Sequence, residues 1–283
     1  MPSLTDIQIV TVAYNSTAVI GDMLASVPEG VQVVIVDNAS TDAGALAALA
    51  AQHGATVVTN PENKGFGAAC NIGAAHCDRP WLMFLNPDAR LEPGCLDTLC
   101  TAADAHPTAC AFTPRVLDGK GKQAFRRRSR LLPKTKHWTG PAPEQDIEVP
   151  LLNGAAIFVK TSNFNDVSGF DDRIFLYHED DDISLRLSAA HGPIRFVHDA
   201  VVTHAEGRST ARTPETAAFK AKHMAQSAIY AMEKHGQPGA RPRIIAHGLM
   251  QLISPINLAS ARKRAKALGF LKGALSKGIT PPS

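Results

Sequence analysis

The stretch VQVVIVDNAS, residues 31–40, is a β-branched run that breaks off into Asp37, Asn38 and Ser40. A strand of that composition offers water no polar face, so both of its faces must be covered. The pattern recurs on either side. IQIVTVAY (7–14) runs into Asn15 and Ser16, ATVVTN (55–60) ends in Asn60, and WLMFLN (81–86) runs into Pro87 and Asp88. Helical patterns fill the gaps, from Thr17 to Val27, through ALAALAAQHG (45–54) and near Ala68–Ala75. Apolar strands alternating with helices predict an α/β fold with a parallel sheet covered on both faces. Ligands bind such sheets at the carboxyl ends of the strands. All four runs here end in polar residues at that edge.

Working outward, the segment from Arg115 to Lys136 carries nine Lys/Arg against the single Asp118, includes FRRRSR at 125–130, and reads as a mobile loop. LLNGAAIFVK (151–160) resumes the strand pattern, a helix closes at Gly192, and PIRFVHDAVVTH (193–204) supplies one or two more strands. An Ala-rich helix follows Thr213 as far as His235. Gly236, Pro238, Gly239 and Pro242 then form a hinge that divides a domain, 1–235, from a basic helical tail, 236–283.

With 45% hydrophobic and 19% charged residues in 283, an ordinary folded core is expected. The five cysteines (70, 77, 95, 100 and 110) are odd in number and lack CxxC spacing, which argues against a disulfide framework or structural zinc and for a reducing, cytoplasmic setting. No signal peptide or run of about 20 apolar residues is found. The net charge of +3 conceals an asymmetry: residues 234–283 carry +9 and the preceding 233 carry −6.

Chemistry concentrates in FLYHEDDDISLRL (175–187), where Glu179, Asp180, Asp181 and Asp182 stand between apolar residues. Helix N-termini favour acids, and Asp182 can pair with Arg186 four residues on. Those effects account for two acids, not four. A positioned carboxylate can also take a proton from an attacking hydroxyl. Asp88, just past a buried strand, can help hold a hard divalent cation that binds phosphate oxygens; Asn-Pro-Asp is equally good turn chemistry. NKGFGAACN (63–71) opens a helix with Gly65 and Gly67 beside Lys64, a cradle suited to an anion.

Seven segments in order, VTVAYNS, VIVDNASTD, NKGFGAACNIG, FLNPDA, NGAAIFV, GFDDRIFLYHEDDDISLR and VVTHAEGRS, resemble the family 2 glycosyltransferases, inverting enzymes of the GT-A fold, and among them the bacterial rhamnosyltransferase-like branch. The resemblance spans residues 7 to 210. It implies a Rossmann-like mixed, mostly parallel sheet flanked by helices, and Mn²⁺ or Mg²⁺ as cofactor. Asn86-Pro87-Asp88 takes the Asp-x-Asp position, leaving Asp88 as the main metal carboxylate with His204 as the metal-binding histidine. Asp37 and Asn38 take the nucleobase position, lined by Tyr14 and Asn15. Lys64, Gly65, Gly154 and Arg208 are carried over to the donor, and the Arg126–Arg128 cluster is either a diphosphate contact or a solvated loop. The base falls on Asp180, with Glu179 raising its pKa; a shift of one residue would move it to Asp181.

The implied function is transfer of a sugar to a hydroxyl of a glycan or lipid-linked acceptor in cell-surface polysaccharide synthesis. The branch suggests dTDP-rhamnose as donor, with a UDP-sugar as alternative. A non-catalytic nucleotide-sugar-binding protein would be expected to lack Asp88 or Asp180, and no motif supports nucleic acid as partner. The tail, SARKRAKALGFLKGALSKG (260–278), sets Leu268, Leu271 and Leu275 on one face amid Lys and Arg. It reads as a peripheral anchor at the inner face of the cytoplasmic membrane, as a helix packed on the body, or as a homodimer contact.

Overall fold

Seven consecutive buried residues form the central strand β1 (Ile7–Ala13). The structure is a computed structural model and describes residues 1–204 and 213–276, except for the side chain of Leu258. β1 pairs in parallel with β2 (Gln32–Asn38) and β4 (Trp81–Leu85), and β2 pairs in parallel with β3 (Thr56–Asn60). The connecting helices are α1 (Thr17–Ala25), α2 (Ala43–Gln52) and α3 (Phe66–Ala74). Then follow β5 (Ala89–Leu91), α4 (Cys95–Ala105), β6 (Ala111–Asp118), β7 (Ile147–Val149), β8 (Ala156–Lys160), α5 (Thr161–Asp166), α6 (Glu179–His191) and β9 (Ile194–His204). The chain continues through α7 (Pro214–Lys234), α8 (Ala240–Ile253), α9 (Pro255–Leu258) and α10 (Ala261–Leu275).

The strand order is β3-β2-β1-β4-β8-β6-β9-β5, with β7 on β9. β8 lies antiparallel to both β4 and β6 and makes the sheet mixed. PIRFVHDAVVTH forms one long strand, parallel to β6 with a register shift between Pro114 and Arg115. The fold class is the one expected: an α/β sheet flanked by helices with a helical C-terminal region.

Alternation along the strands builds two cores. Ile7, Ile9, Ile35 and Met83 face one side with α1, α2 and α4; Val10, Val34, Val36, Leu82 and Phe84 face the other with α3, α5 and α6. α3 lies flat on the second face because residue 73 is glycine; a Cβ there would run into Val10 and Val36. None of the five cysteines forms a disulfide, and burial raises the pKa of each thiol.

A third core joins α7, α8 and α10 through Ala225, Ala228, Met232, Ile244, Phe270 and Ala274. Leu131 reaches into it from the basic segment 115–136. The expectation of a mobile loop there is corrected: Leu131 and Leu132 are buried, and Phe125 stacks edge-on against Trp138 and Phe196. The apolar residues interleaved among its cations give the segment a core to join.

In α10 the buried face is Ala267, Phe270 and Ala274, while Leu268 and Leu275 stay exposed. Gly269 and Gly273 decide this rotation. A Cβ on either would strike the backbone of α7, at Ala218 and at Lys222. Replacing both glycines by alanine should therefore pry α10 off α7 and cost about 1–3 kcal/mol, as overpacking does. Urea denaturation of the double variant measures it; an unchanged midpoint would show that the close approach contributes nothing.

Candidate active site

The carboxyl edge of the sheet carries the polar residues that the strand ends predicted. Residues 86–89 form a turn closed by the Ala89 N–H donating to the Asn86 carbonyl at 3.0 Å. β5 begins at Ala89, directly opposite His204 in the antiparallel β5–β9 ladder. That register sets His204 Nε2 at 3.0 Å from Asp88 Oδ1 and 3.5 Å from Asn86 Nδ2. Asp88 is thus both a turn residue and half of a carboxylate–imidazole pair. The donor set suits a hard divalent cation, which takes oxygen and imidazole ligands and is completed by substrate phosphates. Among the described residues no group of three or more His, Cys, Asp or Glu is placed to hold a metal alone, so phosphate oxygens would have to share the coordination.

Residues assigned to the donor fall into two groups. Tyr14, Asn38, Gly65, Asn86, Asp88 and Gly154 line a cleft of about 1170 Å³. Asn15, Asp37 and Lys64 stand behind its rim. Asn15, at φ 54°, accepts from the Thr41 N–H and hydroxyl at 2.8 and 2.9 Å. Buried Asp37 accepts from the Ser40 N–H at 2.9 Å. Lys64 points to Glu62 at 3.8 Å, while its N–H donates to Asn38 Oδ1 at 3.0 Å. Asn38 is fully used: it also accepts from Asn60 and donates to Asn63 and to the Gly65 carbonyl. Gly65 is required by its φ of 87° and because a Cβ would collide with the Phe175 carbonyl, which accepts from the Phe66 N–H at 3.1 Å. Arg208 lies outside the described residues.

The four carboxylates are the first turn of α6, not a segment before it. Successive helical residues point about 100° apart, so each acid leaves in its own direction. Asp182, fully buried, meets Arg186 of its own helix and Lys234 and His235 at the end of α7, each at 2.8 Å. Asp181 is held by the Arg126 guanidinium and by His178 Nδ1 at 3.1 Å. Asp180 faces the cleft beside Gly154, where the absent side chain leaves room for its carboxyl. Glu179 also lines the cleft, and its Oε2 is buried with no hydrogen-bond partner among the described residues. Tyr177 and His178 both take left-handed backbone at φ 67° and 71° to enter this turn, a strain of order 1–3 kcal/mol each that is typical of functional sites.

Environment separates the four electrostatically. Burial, then the Asp180 charge, pushes Glu179 up to about 8. Burial also raises Asp180, against the opposing pull of Arg126. For Asp181 burial is outweighed by the His178 hydrogen bond and the Arg126 charge, and its pKa falls. For Asp182 burial is outweighed by His235, Arg186 and Lys234, giving about 2.

Several cleft residues escaped the sequence reading. Lys220 of α7 lines it, its pKa lowered by burial against the attraction of Asp88. His247, Gln251, Lys266 and Phe270 bring the C-terminal helices into the same wall. No local motif marks these residues; only the packing of α10 on α7 brings them there.

Asp182 yields a pH prediction. Its folded pKa lies below the ordinary 3.8, so its stabilisation is present above about pH 4 and is lost as pH falls toward 2. Asp182→Asn should cost about 3 kcal/mol near neutrality by removing the buried charge that Arg186, Lys234 and His235 surround, and should flatten the acid limb of stability. Denaturant titrations from pH 7 to 2.5 test both; parallel curves for the two proteins would remove the network from that role.

Known proteins accord with this geometry. The sequence profile described as "Glycosyl transferase family 2" matches residues 8–166. An N-acetylglucosaminyl-diphospho-decaprenol L-rhamnosyltransferase of Mycobacterium tuberculosis is 29% identical over 298 residues, covering 93% of this chain and 96% of that protein. A pre-mycofactocin glycosyltransferase of the same organism is 28% identical over 206 residues, covering 72% of this chain and 43% of its own. Among solved structures, Staphylococcus aureus TarS 1–349 with UDP superposes at a TM-score of 0.58 with 15% identity, covering 94% of this chain and 90% of that one. The mannosyltransferase PcManGT of Pyrobaculum calidifontis, with GDP-Man and Mn²⁺, superposes at 0.56 with 17% identity, covering 95% and 85%. With the family profile on the strands that carry the cleft and glycosyltransferase folds superposing along nearly the whole chain, the protein belongs to glycosyl transferase family 2 and has the GT-A fold.

Proposed function

We propose that the protein is an inverting, divalent-metal-dependent rhamnosyltransferase that moves rhamnose from dTDP-rhamnose to a hydroxyl of a lipid-linked glycan in cell-envelope polysaccharide synthesis. One observation carries the reading: Asp180, a buried carboxylate of raised pKa, and the Asp88–His204 pair line the same cleft. The choice of sugar and acceptor is supported by the mycobacterial rhamnosyltransferase matched over 93% of the chain.

The donor's nucleoside lies along Tyr14 and the Asn38 edge, with its diphosphate toward Asp88 and His204. Asp88 and His204 would hold a divalent cation there, which would offset charge on the leaving diphosphate. The acceptor hydroxyl attacks the anomeric carbon from the opposite side, its proton passes to Asp180, and the carbon–oxygen bond to the diphosphate breaks. One displacement inverts the anomeric centre and releases dTDP. Asp180 suits the base better than Asp181, because Asp181 is spent on Arg126 and His178 and lies off the cleft wall. Lys220 adds a cation facing Asp88.

The lipid end of the acceptor is met by the C-terminal helices. No described helix is long and apolar enough to cross a membrane. Leu249, Met250, Ile253 and Ile256 are nonetheless exposed at the junction of α8 and α9, and Arg262, Lys263 and Arg264 open α10 just beyond. An apolar patch bordered by cations suits the surface of an anionic bilayer. The helices contribute to the third core, so point substitutions test the contact more cleanly than truncation.

Asp180→Asn should bind dTDP-rhamnose as the wild type does yet lose about 10²–10⁴-fold in kcat; near-normal turnover would remove Asp180 from the chemistry. In the wild type, activity should rise with pH through an apparent pKa above the ordinary carboxylate range, belonging to the coupled Glu179–Asp180 pair. Asp88→Ala should abolish the part of donor affinity that Mn²⁺ adds, and equal affinity with and without EDTA in the wild type would mean a metal-independent site. Ile253→Glu with Ile256→Glu should weaken sedimentation with anionic vesicles while leaving the melting temperature unchanged. Undiminished sedimentation would dismiss the patch.

A further inference from the structure

Behind the carboxylate row lies a second cavity, of about 490 Å³. One wall is the segment 126–137 and the other is the junction of α7 and α8. The walls are built, not draped. Gln237 Nε2 donates to the Leu131 carbonyl at 3.2 Å across them, and Ser129 Oγ accepts from the Leu131 N–H at 3.0 Å. Four cations line the cavity without a carboxylate partner among the described residues: Arg128, Arg130, Lys134 and Arg243. The single carboxylate in the lining is Asp181, which Arg126 and His178 already hold. Two of the four, Arg130 and Arg243, face each other closely enough that Arg243, together with desolvation as the larger cause, lowers the Arg130 pKa.

Like charges do not converge on a built concavity without cost. An anion between them would relieve the repulsion, and guanidinium forks match phosphate oxygens two at a time. Position narrows the role further. Arg126, Arg130 and His178 line both this cavity and the active-site cleft, and the cavity is also lined by Asp181, next to Asp180 in α6, but not by Asp88 or His204, the pair assigned to the donor diphosphate. A phosphate held there belongs to the molecule arriving at Asp180.

We propose that the cavity between Arg130 and Arg243 binds the phosphate or diphosphate of the acceptor and so selects acceptors whose sugar is carried on a phosphate. The proposal rests on the acceptor assignment above and adds the residues that would read it. The same chemistry would hold free phosphate, and the test separates the two sources.

The first arm is calorimetric titration of inorganic pyrophosphate into the full chain in EDTA with saturating dTDP, which occupies the donor side. The wild type should bind, and Arg130→Ala with Arg243→Ala should bind at least about tenfold more weakly, the loss expected for a pair of charge-assisted contacts. Both side chains are exposed, so the fold should survive; an unchanged melting temperature checks it. Equal binding by both proteins, or none by the wild type, overturns the site. The second arm compares KM for an N-acetylglucosaminyl diphospholipid with KM for an alkyl N-acetylglucosaminide. The double variant should lose the preference for the diphospholipid and keep its KM for dTDP-rhamnose. A retained preference means that the cavity holds only free phosphate and overturns the acceptor role. If rhamnose transfer itself fails in the wild type while pyrophosphate still binds, the fault lies with the donor assignment and not with the cavity.

Discussion

Four carboxylates in one helical turn are tolerable because each leaves the helix in a different direction. Asp182 and Asp181 meet cations, Asp180 stands 3.5 Å from the Arg126 that also holds Asp181, and Glu179 carries a raised pKa. Asp182 is neutralised by three cationic or hydrogen-bonding groups and ties α6 to the end of α7. Asp181 is neutralised by Arg126 and His178 and ties α6 to the basic segment. With those two compensated, the remaining pair can be kept at raised pKa, which burial alone would make costly. Structure and chemistry therefore share the turn without competing: the inward acids hold three parts of the chain together, and the outward ones remain available. Burial first, and then the neighbouring Asp180 charge, push Glu179 toward the proton.

The sheet supplies the other half of the arrangement. A parallel half delivers the ends of β1, β2 and β4 to one edge. β8 then reverses direction and carries the Asn153–Ala156 turn to the same edge, where Gly154 makes space for Asp180. β5, only three residues long, pairs His204 across from Ala89 and so sets the imidazole beside Asp88. Extending β5 backward past Ala89 would straighten the Asn86–Ala89 turn, and the carboxylate would then leave the imidazole.

The strand-and-helix alternation was legible from β1 to β4 because buried parallel strands are written as uninterrupted apolar runs. Asp88, His204 and the carboxylate row were legible because they follow such runs directly. The partners of those residues were not. Arg126 read as either a diphosphate contact or one member of a solvated basic loop, since Leu131 does not announce in sequence that it reaches a core about 90 residues further along the chain. Lys64, beside two glycines, was expected to meet an anion; its ammonium lies 3.8 Å from Glu62, and Gly65 is required by the Phe175 carbonyl. The leucine face of α10 was legible, but which face would touch the body was not: Gly269 and Gly273 allow backbone contact with α7 and leave Leu268 and Leu275 exposed.

That rotation of α10 has a consequence for the charge asymmetry of the chain. Were the leucines turned inward, Lys266 would swing away from the cleft and the apolar residues of the tail would be spent on the core. With the glycines inward, Phe270 and Lys266 reach the cleft, while Leu268 stays outside with Leu249, Met250, Ile253 and Ile256. The positive charge of the C-terminal helices is thus divided between the cleft and the outer surface. The tail's glycines, by choosing which side of one helix touches the body, decide that division.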